Sequence, residues 1–217
     1  MSDTPRTALF NAATTELPLV AILRGLKPDE AVPIAHALHD AGFRLIEVPL
    51  NSPDPLTSIA RIRQTLPSHV LVGAGTVLTI EHVWQLRDSG GELAVMPNAD
   101  TAVIRAAKEA GLIAIPGIAT PTEAFAALAA GADALKLFPA ELVTPTVLKA
   151  IRVVLSKGTR LLPVGGITPN TMTPYLEAGA AGFGLGSALY KPGMTAAEVG
   201  ATARAFVAAW KESTTRQ

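Results

Sequence analysis

Five times along the chain a mixed polar and apolar stretch ends in Ala-Gly or Ser-Gly, and a short apolar run follows at once. The instances are LHDAGFRLIEVPL (38–50), LRDSGGELAVMPN (86–98), AKEAGLIAIPGIA (107–119), LAAGADALKLFPA (128–140) and LEAGAAGFGLGSA (176–188). Glycine tolerates the left-handed backbone that closes a helix, so each phrase reads as helix, cap and buried strand. The cap glycines are Gly42, Gly90, Gly111, Gly131 and Gly179, at intervals of 48, 21, 20 and 48 residues. Each interval of 48 conceals one more unit: QTLPSHVLVGAGT (64–76) in the first and LSKGTRLLPVGG (155–166) in the second.

With the opening run LPLVAILRG (17–25), eight apolar runs emerge, at 18–24, 43–48, 69–75, 93–96, 112–116, 133–138, 160–164 and 181–185. Continuous apolar runs, rather than alternating ones, are those of a parallel sheet covered by helices. Helix starts are signalled at Lys27-Pro28-Asp29-Glu30, Ser52-Pro53-Asp54, Thr79, Asn98-Ala99-Asp100, Thr120-Pro121-Thr122-Glu123, Thr144-Pro145 and Thr168-Pro169-Asn170. Thr120 and Glu123 have the spacing of a capping box. Eight β/α units predict one α/β domain over 1–217, a (β/α)8 TIM barrel. An open doubly wound sheet fits the unbroken alternation less well. Residues 1–16 are expected to form a helix across the bottom of the barrel, and 211–217 a frayed tail.

Composition narrows the function. Eighteen Lys+Arg against 18 Asp+Glu leave no net charge, which argues against a general nucleic-acid or acidic-membrane binder. The absence of cysteine removes disulfides, thiolate catalysis and cysteine-ligated metals. The start carries Asp3 and Glu16 and lacks a signal-peptide pattern, and no apolar stretch reaches the ~18 residues of a span. These features predict a cytoplasmic protein.

A barrel of this kind keeps its active site at the C-terminal ends of the strands. Three charged side chains converge there: Arg24, Glu47 and Lys136. In ALKLFPA, Leu135 and Leu137 should face the helices, which turns Lys136 inward. Burial would push its pKa down, as a Schiff-base nucleophile needs; the bland alternative is a buried ion pair. Glu47, between Ile46 and Val48, is either a proton shuttle or the counter-ion of Lys136 or Arg24. Arg24 is an anion clamp or a rim salt bridge. Gly165-Gly166 and the run from Gly184 through Gly186 to Ser187 read as a phosphate cradle on adjacent strands, although tight turns also want glycine. Gly73-Ala74-Gly75-Thr76 fails as a dinucleotide fingerprint because Leu78 stands where a glycine is required. Thr76 could instead meet a substrate carboxylate. His36, His39, His69 and His82 all fall away from the strand ends, so no metal site or Ser-His-Asp triad is expected.

The motifs LVAILRG (19–25), GFRLIEVPLNSP (42–53), GAGTV (73–77), PNAD (97–100), PGIATPTEA (116–124), ALKLFPA (134–140), PVGGITPN (163–170) and GLGSALY (184–190) together resemble the KDPG/KHG aldolase family, class I aldolases of 2-keto-3-deoxy-phosphosugar acids. The resemblance spans about Leu17 to Trp210. It implies that Lys136 forms the Schiff base and Glu47 moves protons, and that Arg24, Thr76, Gly165, Gly166, Gly186 and Ser187 contact substrate. It implies a homotrimer, pyruvate and glyceraldehyde 3-phosphate as products, and no cofactor. Leu50-Asn51-Ser52-Pro53, and Val164 where gluconate-specific members carry threonine, resemble the branch of the family that takes the galactonate epimer. Asn51 stands in place of a frequent arginine, which would leave anion binding to Arg24 and backbone groups. The alternatives are the gluconate or 4-hydroxy-2-oxoglutarate specificity, another phosphosugar enzyme such as an epimerase, isomerase or transferase, and a non-catalytic binder.

Overall fold

The computed structural model describes residues 5–215. Helix α1 (Pro5–Glu16) leads into β1 (Leu19–Ile22), α2 (Ala31–Asp40), β2 (Leu45–Pro49), α3 (Pro55–Thr65), β3 (Leu71–Gly75), α4 (Ile80–Asp88), β4 (Leu93–Val95) and α5 (Thr101–Glu109). Then come β5 (Ile113–Ile115), β6 (Gly117–Ile118), α6 (Pro121–Ala129), β7 (Leu135–Leu137), α7 (Pro145–Val154) and β8 (Leu161–Pro163). A 3-10 turn (Pro169–Thr171), α8 (Met172–Glu177), β9 (Phe183–Leu185) and α9 (Ala196–Thr215) complete the chain.

Each of the eight apolar runs contains a strand. A second short strand, β6, follows just beyond the fifth run, where Pro116 divides it from β5; proline has no N–H to give a ladder. The fold is α/β with two parallel sheets rather than one. A six-stranded sheet has the order β5-β4-β3-β2-β1-β9, and a three-stranded sheet has the order β6-β7-β8. A single bridge, Val164 to Gly184, links the end of β8 to β9.

The five cap glycines behave as the repeated phrase requires, with φ of 107° at Gly42, 84° at Gly90, 72° at Gly111, 101° at Gly131 and 102° at Gly179. Most helix starts follow the expected signals. Thr79 accepts the His82 N–H, Asp100 accepts those of Ala102 and Val103, and Thr120 and Glu123 close a capping box. Two helices start later than the signals suggest: α2 at Ala31 and α3 at Pro55. The expected tail is helical from Lys211 to Thr215, as the end of α9. Residues 216–217 lie outside the described residues.

Burial separates the two faces of the strands. Leu135, Leu137, Ile46 and Val48 belong to the core between sheets and helices, as the alternation predicts. A second, smaller core collects Val20, Leu45, Leu71, Leu93, Val95, Ile113, Ile115 and Leu162 from both sheets. Phe10 of α1, fully buried, joins it at the N-terminal ends of the strands. There α1 is tied down by Arg160 to the Asn11 side chain at 2.9 Å and by Arg6 to the Gly111 carbonyl at 2.5 Å. The inner face therefore has one plugged end. The other end is open.

Candidate active site

The open end is a cavity of about 280 Å³. Arg24, Glu47, Thr76, Lys136, Val164, Gly165, Gly166, Gly186 and Ser187 all line it. Within each sheet the parallel register aligns the strand ends, Glu47 with Ile22 and Gly73 and Lys136 with Gly117 and Leu162, and both sets of ends open onto this one cavity. Asn51 is not among the lining residues and is exposed, whereas the neighbouring Ser52 is buried.

Lys136 forms the floor. It is 7% exposed, and its Nζ lies 4.4 Å from the centre of the Phe138 ring. It makes no ion pair or hydrogen bond among the described residues, so the buried ion pair is not what holds it. Burial holds its pKa below the usual lysine value; the Glu47 charge opposes this and the Arg24 charge adds to it. An unpaired, desolvated amine is the nucleophilic form of lysine.

Glu47 is 2% exposed, and its Oε2 has no hydrogen-bond partner among the described residues. Burial raises its pKa from 4.5 to about 7, against the opposing pull of Lys136, Arg24 and the Gly75 backbone. Its seat is made by a neighbour. A Cβ on Gly75 would come within 2.1 Å of Oε2, so only glycine leaves room for this carboxylate. That is the use of the second glycine in Gly73-Ala74-Gly75-Thr76. Thr76 follows with φ of 58°, a left-handed conformation that costs a β-branched residue about 1–3 kcal/mol. Strain of this size is commonly stored at functional sites.

Across the cavity, Gly165 and Gly166 have φ of 119° and 62°. Side chains rarely adopt either conformation, so glycine is required at both positions. Two charged lining residues escaped the sequence reading, Glu141 and Lys191. Both stand beyond the strand ends on which that reading concentrated, in otherwise apolar stretches, and that isolation was the available signal. Glu141 rests on this glycine pair: a Cβ at Gly165 would lie 2.3 Å from its Oε2. Its backbone is anchored by the N–H of Ala140 on the Val164 carbonyl at 2.9 Å, and by the Tyr175 hydroxyl on the Ala140 carbonyl at 2.7 Å. None of the four histidines lines the cavity.

The model of the KDPG and KHG aldolase family matches residues 10–204. A probable 2-dehydro-3-deoxy-6-phosphogalactonate aldolase of Rhizobium meliloti (strain 1021) is 50% identical over 195 residues, covering 90% of this chain and 92% of the relative. The 2-dehydro-3-deoxy-6-phosphogalactonate aldolase of Escherichia coli (strain K12) is 46% identical over 199 residues, covering 92% and 97%. A solved structure described as native KDPGal matches with a TM-score of 0.90 at 46% identity, covering 92% of this chain and 97% of that one.

Proposed function

Because the chain belongs to the KDPG and KHG aldolase family, we propose that it is a class I aldolase, a lyase that cleaves 2-dehydro-3-deoxy-6-phosphogalactonate to pyruvate and glyceraldehyde 3-phosphate. One observation carries the reading: an unpaired, buried lysine on the floor of a cavity whose far wall is a glycine anion cradle.

The Lys136 amine adds to the C2 carbonyl carbon, giving a carbinolamine. Glu47, in its protonated form, gives a proton to the departing hydroxyl; water leaves and an iminium remains. Glu47, now a carboxylate, takes the C4 hydroxyl proton. The C3–C4 bond breaks, its electron pair passes into the iminium to give an enamine, and C4 becomes the aldehyde of glyceraldehyde 3-phosphate. Protonation at C3 and addition of water then free pyruvate and Lys136. A pKa of about 7 suits Glu47 to both directions of proton transfer. The sequence of steps calls on no metal or organic cofactor.

Arg24, Thr76, Gly165, Gly166, Gly186 and Ser187 hold the two anionic ends of the substrate in this reading. Val164, buried and lining the cavity, offers no hydrogen bond to a C4 hydroxyl, which supports the galactonate over the gluconate epimer. The site belongs to a single domain read as one closed (β/α)8 barrel. This is supported by the β5–β6 continuation and by two hydrogen bonds across the sheet edges: Asp133 N–H to the Ala114 carbonyl and Ala181 N–H to the Leu161 carbonyl, both 2.9 Å. A homotrimer is the proposed assembly, for which exposed Phe125, Leu142 and Val153 supply apolar surface. The cytoplasm is the proposed location; no helix among the described residues is long and apolar enough to cross a membrane.

Borohydride reduction in the presence of pyruvate, followed by peptide mass spectrometry, tests the reading. The expected adduct is on Lys136. An adduct elsewhere, or none under turnover conditions, refutes a Schiff-base mechanism at this site.

A further inference from the structure

Arg24 is, with Lys191, one of two exposed cations lining the cavity, and its own side chain makes no hydrogen bond or ion pair among the described residues. A long side chain has many rotamers to surrender when it grips an anion. Its aim must therefore come from the backbone that carries it, and that backbone is held on both sides. The Leu23 N–H donates to the Glu47 carbonyl at 2.9 Å, and the Leu26 N–H returns to the Leu23 carbonyl at 3.2 Å.

A side chain holds the residue after Arg24. The Gly25 N–H donates to Ser52 Oγ at 2.9 Å. Ser52 is 8% exposed, and its own N–H donates to the Pro49 carbonyl at 2.9 Å, tying it to the end of β2. On the opposite side, Pro192 Cγ lies 2.7 Å from where a Cβ of residue 25 would sit, and Gly25 has φ of 83°. Gly25 is thus gripped between the loop after β2 and the loop after β9. Those are the two strands that pair with β1.

We propose that Ser52 is a positioning residue for Arg24: its hydroxyl sets the direction from which the guanidinium meets an anionic group of the substrate. The segment Leu50-Asn51-Ser52-Pro53 then influences anion binding through Ser52, from behind the arginine, and not through Asn51, which is outside the cavity. The proposal rests on reading the cavity as the substrate site. The anion is the carboxylate or the phosphate of the same substrate, and two probes separate them.

Titration calorimetry on the full chain, with pyruvate and inorganic phosphate as separate probes, compares wild type, Arg24→Ala, Ser52→Ala and the double variant. Arg24→Ala should weaken one probe. Ser52→Ala should weaken that same probe by about three- to tenfold, the effect of one hydrogen bond. In the Arg24→Ala background it should add nothing. Ser52→Thr, which keeps the hydroxyl, should restore binding. Ser52→Cys, which keeps the volume but accepts poorly, should behave as Ser52→Ala and carries the test if the alanine variant unfolds. In turnover, Ser52→Ala should raise KM with kcat within about twofold. Unchanged binding in Ser52→Ala overturns the proposal. So does an additive loss in the double variant, a loss confined to the other probe, or an Arg24→Ala variant that binds both probes normally. A failed borohydride trap with an intact cycle would instead overturn the aldolase reading and leave the positioning role standing.

Discussion

The two ends of the inner face treat the same kinds of side chain in opposite ways. At the N-terminal ends of the strands, Asp133 and Glu92 are tied to several partners each. Asp133 takes Lys108 at 2.5 Å and the Ala114 N–H at 2.8 Å, while Lys108 also reaches the Leu112 carbonyl at 3.1 Å. Glu92 takes Arg63 at 3.1 Å and Arg6 at 4.0 Å, and Arg63 also donates to the carbonyls of Leu66, Val70 and Pro67. At the C-terminal ends, Glu47 and Lys136 share a small space with no direct ion pair, and both are driven toward their neutral forms. Partners make a charge structural. Withholding them leaves a proton or a lone pair free to react.

The contrast predicts opposite consequences for removal at the two ends. Lys136→Ala should reduce turnover by at least roughly 10⁴-fold while the protein stays folded; steady-state assay with circular dichroism checks both halves. Glu47→Gln keeps the shape and should cost roughly 10²- to 10⁴-fold in turnover. The same substitution should alter the pH dependence of stability. A carboxyl whose folded pKa is raised from 4.5 to about 7 binds more protons folded than unfolded in that window, so wild-type stability falls as pH rises through it. Glu47→Gln should flatten that fall and be the more stable protein at pH 8, measured by urea unfolding across pH. A wild-type curve that rises over that window would show Glu47 to be ionised and satisfied after all.

At the plugged end, Asp133→Ala strands Lys108 and the Ala114 N–H. It should destabilise by about 2 kcal/mol, lowering Tm by roughly 4–8 °C, with turnover within about twofold. If turnover collapsed there as well, the division between the ends would fail. The smallest expected effect sharpens the wall above the floor. Val164→Thr adds one hydroxyl beside the substrate and should move the ratio of specificity constants toward the gluconate epimer by up to about tenfold. A wild type that already prefers that epimer would transfer the chain to the other branch while leaving the Schiff-base chemistry intact.

Much of the arrangement around this cavity is legible in the sequence. Lys136 and Glu47 each interrupt an apolar run, and a period of two turns them away from neighbours that pack on helices. The glycines of the cavity wall were legible as glycine runs on adjacent units. Gly75 was not, because its purpose depends on the carboxylate that the β2–β3 register brings beside it. Asn51 and Ser52 look equally polar on paper; only packing buries one against Gly25 and leaves the other in solvent. The extra strand after the fifth run and the helical end of α9 differ from expectation for local reasons. Pro116 lacks a donor, and buried Phe206 and Ser213 anchor the last turns of a helix whose polar ending reads as loose.

The sequence by itself determined the alternation of helix and strand and the inward aim of Lys136 and Glu47, since caps and strand periodicity act over a few residues. The tertiary structure alone decided that these two would meet unpaired while Asp133 and Glu92 would not go without partners. Desolvation and Coulomb coupling depend on distance in space, and the chain folds back on itself before either can act.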